Sequence, residues 1–340
     1  MLSGKGFPMI NMDNRLSSFR ILICGLGSIG RRHLRVIKMN WPDVKISALR
    51  SGFGKAYDKE SNLENIFFSL DDALTWNPTC VIIASPANYH LEHALSFARN
   101  DIPVLIEKPV GCGAEKLEDW DELLSISEKI PILVGYTYRH DPCALFVKER
   151  LIQHDFGRLV EADLYCGSWL PDWRKGIDYR DSVSAKKELG GGVLLELSHE
   201  IDLAMWFFGP LEIINSKMIS TDILDIEVED YVSLSCVNQV GVEISIKLNF
   251  CTTPLRRQIM IRGEKSSLVW DLADGTVDIS NKSRNHNNKK LGLERDQVFK
   301  CELLHFFECA EKLDFPKCTL KDGINTLNLI NKVKGLPEIF

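Results

Sequence analysis

The six residues Gly25-Leu26-Gly27-Ser28-Ile29-Gly30 constrain this chain more than any other part of it. They match G-x-G-x-x-G, follow directly on the apolar run Phe19 to Cys24, and open a helix-like segment, Arg31 to Met39. In that setting the glycines allow a tight turn, close approach of backbone to a pyrophosphate, and tight packing of helix on strand. The helix N-terminus then offers free N–H groups and the positive end of its dipole to phosphate. The bland alternative is a glycine turn that binds nothing, and the pattern around it weighs against that.

That pattern is an alternation of short strands and longer helices. Val44 to Leu49, Thr79 to Ala84, Pro103 to Ile106 and Ile132 to Tyr136 read as strands. Tyr89 to Asn100 and Ala114 to Lys129 read as helices between them. Such alternation predicts a parallel sheet covered on both faces. Near Asp141-Pro142 the pattern changes. After one more helix, Cys143 to Gln153, extended segments follow with little helix between them: Arg158 to Tyr165, Leu211 to Ser220, Asp230 to Asn238, Val242 to Phe250, Arg257 to Gly263, Ser267 to Asp271 and Thr276 to Ser280. These predict a mostly antiparallel sheet. The polar tract Asn281 to Lys290 is expected to be a mobile loop, and helices Arg295 to Leu313 and Leu320 to Lys334 close the chain. The expected organisation is a flexible extension over 1–18, a dinucleotide-binding domain over 19–140, and a substrate-binding and oligomerisation domain over 141–340.

Composition narrows the function classes. A net charge of -6 over 340 residues argues against a general nucleic-acid or anionic-membrane binder, because both need a basic surface. No apolar run approaches the roughly 20 residues a membrane helix needs, and Met1 to Ser18 lacks the apolar stretch of a secretory signal. The ten cysteines include no C-x-x-C pair, and no metal site is expected. A reducing cytoplasm fits them best.

Three further segments bear on chemistry. The second strand ends in Arg50-Ser51-Gly52 with Lys55 nearby, where an NAD-binding chain usually carries an acidic residue for the ribose 2′-hydroxyl. A guanidinium there suits the 2′-phosphate of NADP, so NADP is preferred and NAD is kept as the alternative. Glu107-Lys108-Pro109 ends a predicted parallel strand, at the edge where open α/β sheets bind ligands. A lysine there is a candidate acid or base for proton transfer at a carbinol oxygen. Gly190-Gly191-Gly192 leads into a predicted helix carrying Glu196, His199 and Asp202. Residues three apart lie on nearly one helix face, so His199 is expected to meet substrate beside a carboxylate that keeps its pKa near neutrality. A metal-binding trio and a plain surface helix are the alternatives.

Together these strings resemble the glucose-fructose oxidoreductase / inositol dehydrogenase (Gfo/Idh/MocA) family. The resemblance runs through Gly25 to Gly30, Ser85-Pro86-Ala87-Asn88-Tyr89-His90, Glu107-Lys108-Pro109, Gly135-Tyr136-Thr137-Tyr138-Arg139, and Gly190 to Asp202. It implies a Rossmann domain, then an α/β domain whose open, mostly antiparallel sheet often mediates dimers or tetramers. It implies that Lys108 and His199 form the catalytic pair, and that Ser85, Pro86, Asn88, His90 and Glu107 border the cofactor with Gly25, Gly27, Ser28, Ile29, Gly30, Arg50, Ser51 and Lys108. Where the family usually has Asp four residues before the histidine, this chain has Leu195, with Glu196 three before; Glu196 is therefore the candidate third catalytic residue.

Substrate contacts are expected from Tyr136, Arg139, Trp169, Trp173, Arg174, Tyr179, Lys187 and His199. Aromatic rings suit sugar faces, and the cations suit phosphate or carboxylate. The implied activity is hydride transfer between nicotinamide and a sugar, keto-sugar or nucleotide-sugar. Its similarity to bacterial members that act on surface-polysaccharide and nonulosonic-acid sugars is an analogy. A glycosidase using NAD transiently and a non-catalytic cofactor-binding regulator are the competing functions.

Overall fold

The computed structural model describes residues 16–52, 62–174, 176–283 and 286–339. Lys55 and most of the N-terminal extension lie outside the described residues. Six short strands form the first sheet: β1 (Arg20–Cys24), β2 (Lys45–Leu49), β3 (Ile66–Phe67), β4 (Cys80–Ile83), β5 (Val104–Glu107) and β6 (Ile132–Gly135). Their order is β3-β2-β1-β4-β5-β6 and every pairing is parallel. Buried on both faces, these strands need continuous apolar runs such as Cys-Val-Ile-Ile in β4. The order reverses direction between β1 and β4, which opens a crevice at the carboxyl ends of those strands. This is the Rossmann arrangement expected from the glycine string.

Helices α1 (Ser28–Asn40), α2 (Leu70–Thr75), α3 (His90–Ala98) and α4 (Leu117–Ser127) connect the strands. A short 3-10 turn, Thr137–His140, then leads into α5 (Pro142–Ile152), whose N-cap Asp141 accepts from the Cys143 N–H at 2.7 Å. The second sheet has eight strands: β7 (Leu159–Gly167), β8 (Leu211–Ile219), β9 (Tyr231–Asn238), β10 (Glu243–Asn249), β11 (Arg256–Gly263), β12 (Ser266–Asp271), β13 (Thr276–Asn281) and β14 (His286–Lys290). Their order is β14-β13-β12-β11-β7-β10-β9-β8, and only the β7–β10 pairing is parallel. The alternation of buried and accessible positions along β7 and β10 marks one face on the core.

The expectation of a loop over Asn281 to Lys290 is corrected here. His286–Lys290 pairs antiparallel with β13. As an edge strand with every residue exposed it buries no face, so His-Asn-Asn-Lys-Lys carries none of the apolar alternation by which strands are recognised.

The chain's last helices do not stay on the second sheet. Helix α8 (Arg295–Lys312) returns to the first, where Phe299, Leu303, Phe306 and Phe307 join Leu34, Val36 and Ile37 of α1 in one apolar layer. Arg35 seals that contact with a 2.7 Å ion pair to Asp296, which Arg32 joins at 3.2 Å. Helix α9 (Leu320–Lys334) lies beside β6, and the Val134 N–H donates to the Cys318 carbonyl just before it.

Candidate active site

At the end of β1 the chain turns sharply at Gly25, whose φ is +94°. A Cβ there would lie 2.7 Å from the Ala84 carbonyl oxygen, and one on Gly30 would lie 1.9 Å from the Gly25 oxygen. Both positions therefore require glycine. Gly27 differs, because a Cβ there would meet nothing within 4 Å. It is the N-cap of α1, with no side-chain cap and no acidic residue in the first turn. Among the described residues the start of α1 therefore has no side-chain cap and no acidic first-turn group to compete with an anion, which is what a pyrophosphate requires.

This turn forms one end of a cleft of about 1070 Å³ that runs between the two sheets. Gly25, Gly27, Ser28, Ile29, Arg50, Ser51, Ser85, Pro86, His90 and Glu107 line the dinucleotide end, while Lys108, Trp173, Arg174, Glu196 and His199 line the other. His90 ties two of these loops together: its Nδ1 faces the Pro109 carbonyl and its Nε2 the Ser85 carbonyl, each at 2.8 Å. Glu107 is buried, with Oε1 2.7 Å from His33 Nε2. Behind it, burial and the charge of Glu107 push the enclosed Glu302 carboxyl well above the usual carboxylate range.

The expected single helix from Gly192 through Asp202 is broken. Gly192, at φ +108°, starts a four-residue helix, α6 (Val193–Glu196), which stops at Leu197. A second helix, α7 (His199–Phe208), begins with the histidine itself. The break ends the continuous helix that would have set Glu196 and His199 on one face. Glu196 Oε2 lies 3.8 Å from Lys108 Nζ, and that ammonium donates to the Glu196 carbonyl at 2.9 Å.

His199 is placed by its neighbours. Glu200 takes Arg257 of β11 at 2.5 Å, and Asp202 takes Arg139 at 2.7 Å in a bidentate pair. Both carboxylates are buried, so these two pairs clamp the first turn of α7. The edges of Tyr136 and Tyr138 enclose the imidazole, with ring centroids 5.6 and 5.0 Å away. His199 Nδ1 is buried with no partner. Burial first, then the charges of Arg257, Lys108 and Arg295, drive its pKa well below that of an ordinary histidine. The expectation of a carboxylate keeping His199 near neutrality is therefore corrected: the ring is neutral, and its charged neighbours are cations.

Several expected site residues do not reach the cleft. Arg139 is buried, bound to Asp202 and 3.4 Å from Asp322, so it anchors α7 rather than facing substrate. Tyr136 is buried, with its hydroxyl donating to Ser198 Oγ at 3.4 Å. Tyr179 accepts from the Asp225 N–H at 3.3 Å, Trp169 packs on the core, and Lys187 is exposed; none of them lines the cleft. Gly30 lies beneath the turn, and Asn88 belongs to the 3-10 turn before α3 without joining the lining.

Tyr138 and Arg257 are site residues that sequence reasoning missed. Arg257 stacks 4.3 Å over the Tyr138 ring and donates to its hydroxyl at 3.0 Å, and both line the cleft. Tyr138 sits inside a motif already noticed, whereas nothing in the local sequence marks Arg257. Among the described residues no group of His, Cys, Asp and Glu is arranged to hold a metal ion.

A family profile described as "Oxidoreductase family, NAD-binding Rossmann fold" matches residues 19–137, and the "GFO/IDH/MocA C-terminal domain" matches residues 145–269. The chain belongs to the Gfo/Idh/MocA family of oxidoreductases. It is 23% identical over 227 residues to inositol 2-dehydrogenase of Rhizobium meliloti (strain 1021), a match covering 65% of each chain and so just under two thirds of that enzyme's length. It is 26% identical to glucose-6-phosphate 3-dehydrogenase of Bacillus subtilis (strain 168), covering 69% of each. A solved levoglucosan dehydrogenase, in complex with NADH and levoglucosan, shares the fold at TM-score 0.79 and 17% identity, covering 93% of this chain and 96% of that one.

Proposed function

We propose that this Gfo/Idh/MocA protein transfers a hydride between a nicotinamide dinucleotide and a carbinol or carbonyl carbon of a sugar-like substrate. The observation that carries the reading is a cleft with an uncapped helix N-terminus at one end and Lys108 and His199 at the other. The dinucleotide, when bound, supplies the hydride donor or acceptor. The chain's own groups manage the oxygen. In the reductive direction the carbonyl carbon takes the hydride, the carbonyl oxygen takes a proton from the Lys108 ammonium, and a hydroxyl and a neutral amine result. Oxidation is the reverse, with the hydroxyl proton passing to the amine.

His199, neutral and held by its two tyrosines, hydrogen-bonds the same oxygen through Nε2 and orients it. Trp173, fixed by a 2.7 Å hydrogen bond to Ser168 Oγ, offers a flat apolar wall for a sugar ring.

Finer assignments follow from named features. Arg50 lines the dinucleotide end just beyond β2 and supports NADP over NAD. The accessible face of the second sheet, with Tyr165 and Met260, supports a homodimer or homotetramer. The ten free cysteines support a cytoplasmic setting. A role in surface-polysaccharide or nonulosonic-acid metabolism rests on sequence resemblance alone.

The test is a fluorescence titration with NADH and NADPH, followed by a screen of myo-inositol, glucose 6-phosphate, levoglucosan and UDP-sugars for change at the nicotinamide absorbance band. Failure to bind either dinucleotide would overturn the reading. Glycoside release with an unchanged band would select the transient-cofactor glycosidase instead.

A further inference from the structure

Glu196 stands three residues before His199, yet its carboxylate serves other groups. Oε1 accepts from Ser184 Oγ at 3.1 Å, and Oε2 faces Lys108 Nζ at 3.8 Å. On the far side of the lysine, Glu107 Oε2 accepts from the Lys108 main-chain N–H at 3.3 Å. The hydrogen-bond directions are forced. A guanidinium only donates and an ionised carboxylate only accepts, so Ser184 takes a hydrogen bond from Arg174 Nη1 at 3.3 Å and gives its one proton to Glu196.

Ser184 is fully buried and has no freedom to do otherwise. Its carbonyl accepts from the Gly192 N–H at 3.1 Å, and a Cβ on Gly191 would come within 2.7 Å of that same oxygen. The glycine triplet thus brings Ser184 directly against α6.

We propose that Ser184 and Arg174 are positioning residues for Lys108: they hold the Glu196 carboxylate on the lysine and away from His199, so the lysine is the carboxylate-supported member of the pair. This rests on the reading of Lys108 and His199 as the catalytic pair. The carboxylate faces the ammonium, the form that gives up a proton in reduction, across 3.8 Å. The histidine, left among cations, stays a neutral hydrogen-bonding group.

The test needs no substrate. Competitive acetylation of Lys108 with acetic anhydride across pH, read by peptide mass spectrometry on the full chain, follows the ammonium directly. NMR of labelled histidine rings follows His199 in the same protein. Glu196→Gln should move the Lys108 labelling curve to lower pH, raising its labelling at a fixed pH about tenfold, and Ser184→Ala or Arg174→Met about two- to threefold. The His199 signals should not move in any of the three. A Glu196→Gln protein with an altered His199 ring and an unchanged Lys108 curve would overturn the proposal. So would a wild-type Lys108 curve in Ser184→Ala. If Ser184→Ala does not fold, Arg174→Met tests the same link from the cleft side. Failure of the dinucleotide titration would sink the functional reading and leave this result standing.

Discussion

The two ends of the cleft are built from different materials. The dinucleotide end is shaped by backbone, the uncapped N-terminus of α1 and the turn held by Gly25 and Gly30, with Arg50, Ser51 and Ser85 beside them. At the other end the polar groups are side chains from distant parts of the chain: Lys108 just after β5, Glu196 and His199 from two short helices, and Arg257 from β11. A backbone site depends on main-chain conformation and tolerates most changes of side chain. A side-chain site depends on buried ion pairs and tolerates few.

The largest expected effect lies at the side-chain end. Lys108→Ala and His199→Ala should each lower turnover by about 10²- to 10⁴-fold, the usual range for a lost proton-transfer group. NADH affinity by fluorescence should stay within about twofold, since remote backbone contacts dominate it. Equal losses of turnover and affinity would erase the distinction between the two ends.

Next comes the clamp on α7. Arg139→Met leaves Asp202 buried without its partner, and breaking one side of a buried pair costs about 3–5 kcal/mol. Burial already pushes the Asp202 carboxyl up to about 6 against the pull of Arg139, so its ionised form has little margin. Urea unfolding would measure the loss. A variant as stable as the parent would mean that Arg139 does not hold the helix.

Gly25→Ala tests the backbone end. It forces a residue with a side chain to φ +94° and against the Ala84 carbonyl, a strain of about 1–3 kcal/mol. Dinucleotide affinity should fall about tenfold or more, while the Lys108 labelling curve keeps its midpoint. A shifted midpoint would show that the ends are mechanically coupled.

The smallest effect is general and pH-dependent. Burial, followed by the charges of His305, Lys317 and Arg139, pushes His140 down to about 3. An unfolded histidine takes its proton near pH 6.5, but the folded ring refuses it until far lower pH. The stability His140 contributes is therefore whole above about pH 6.5 and is lost as pH falls toward 3. Urea midpoints at pH 8 and pH 5 should differ in that sense, and His140→Gln should narrow the gap.

What could be read from sequence divides along the same line as the cleft. Gly25 to Gly30 carries its own reason: Gly25 and Gly30 answer close backbone contacts, and Gly27 leaves open space at the start of α1. The parallel sheet was legible from its buried apolar strands. The edge strand His286–Lys290 was not, since a strand that buries nothing leaves no hydrophobic pattern. Arg139 is expected at the substrate because it ends the string Gly135 to Arg139 that carries part of the family resemblance. Only the fold shows the buried Asp202 that claims it.

By itself, then, the amino-acid order determined the dinucleotide turn and the two-sheet architecture, and it singled out Lys108 and His199 as candidates. Tertiary structure alone decided which carboxylate meets which base. The spacing of Glu196 and His199 predicted a shared helix face, but the helix breaks between them at Leu197, and a buried serine from another segment turns the carboxylate to the lysine. Local spacing governs direction only while the helix is continuous. Once it breaks, the nearest partner across the cleft sets where a side chain goes.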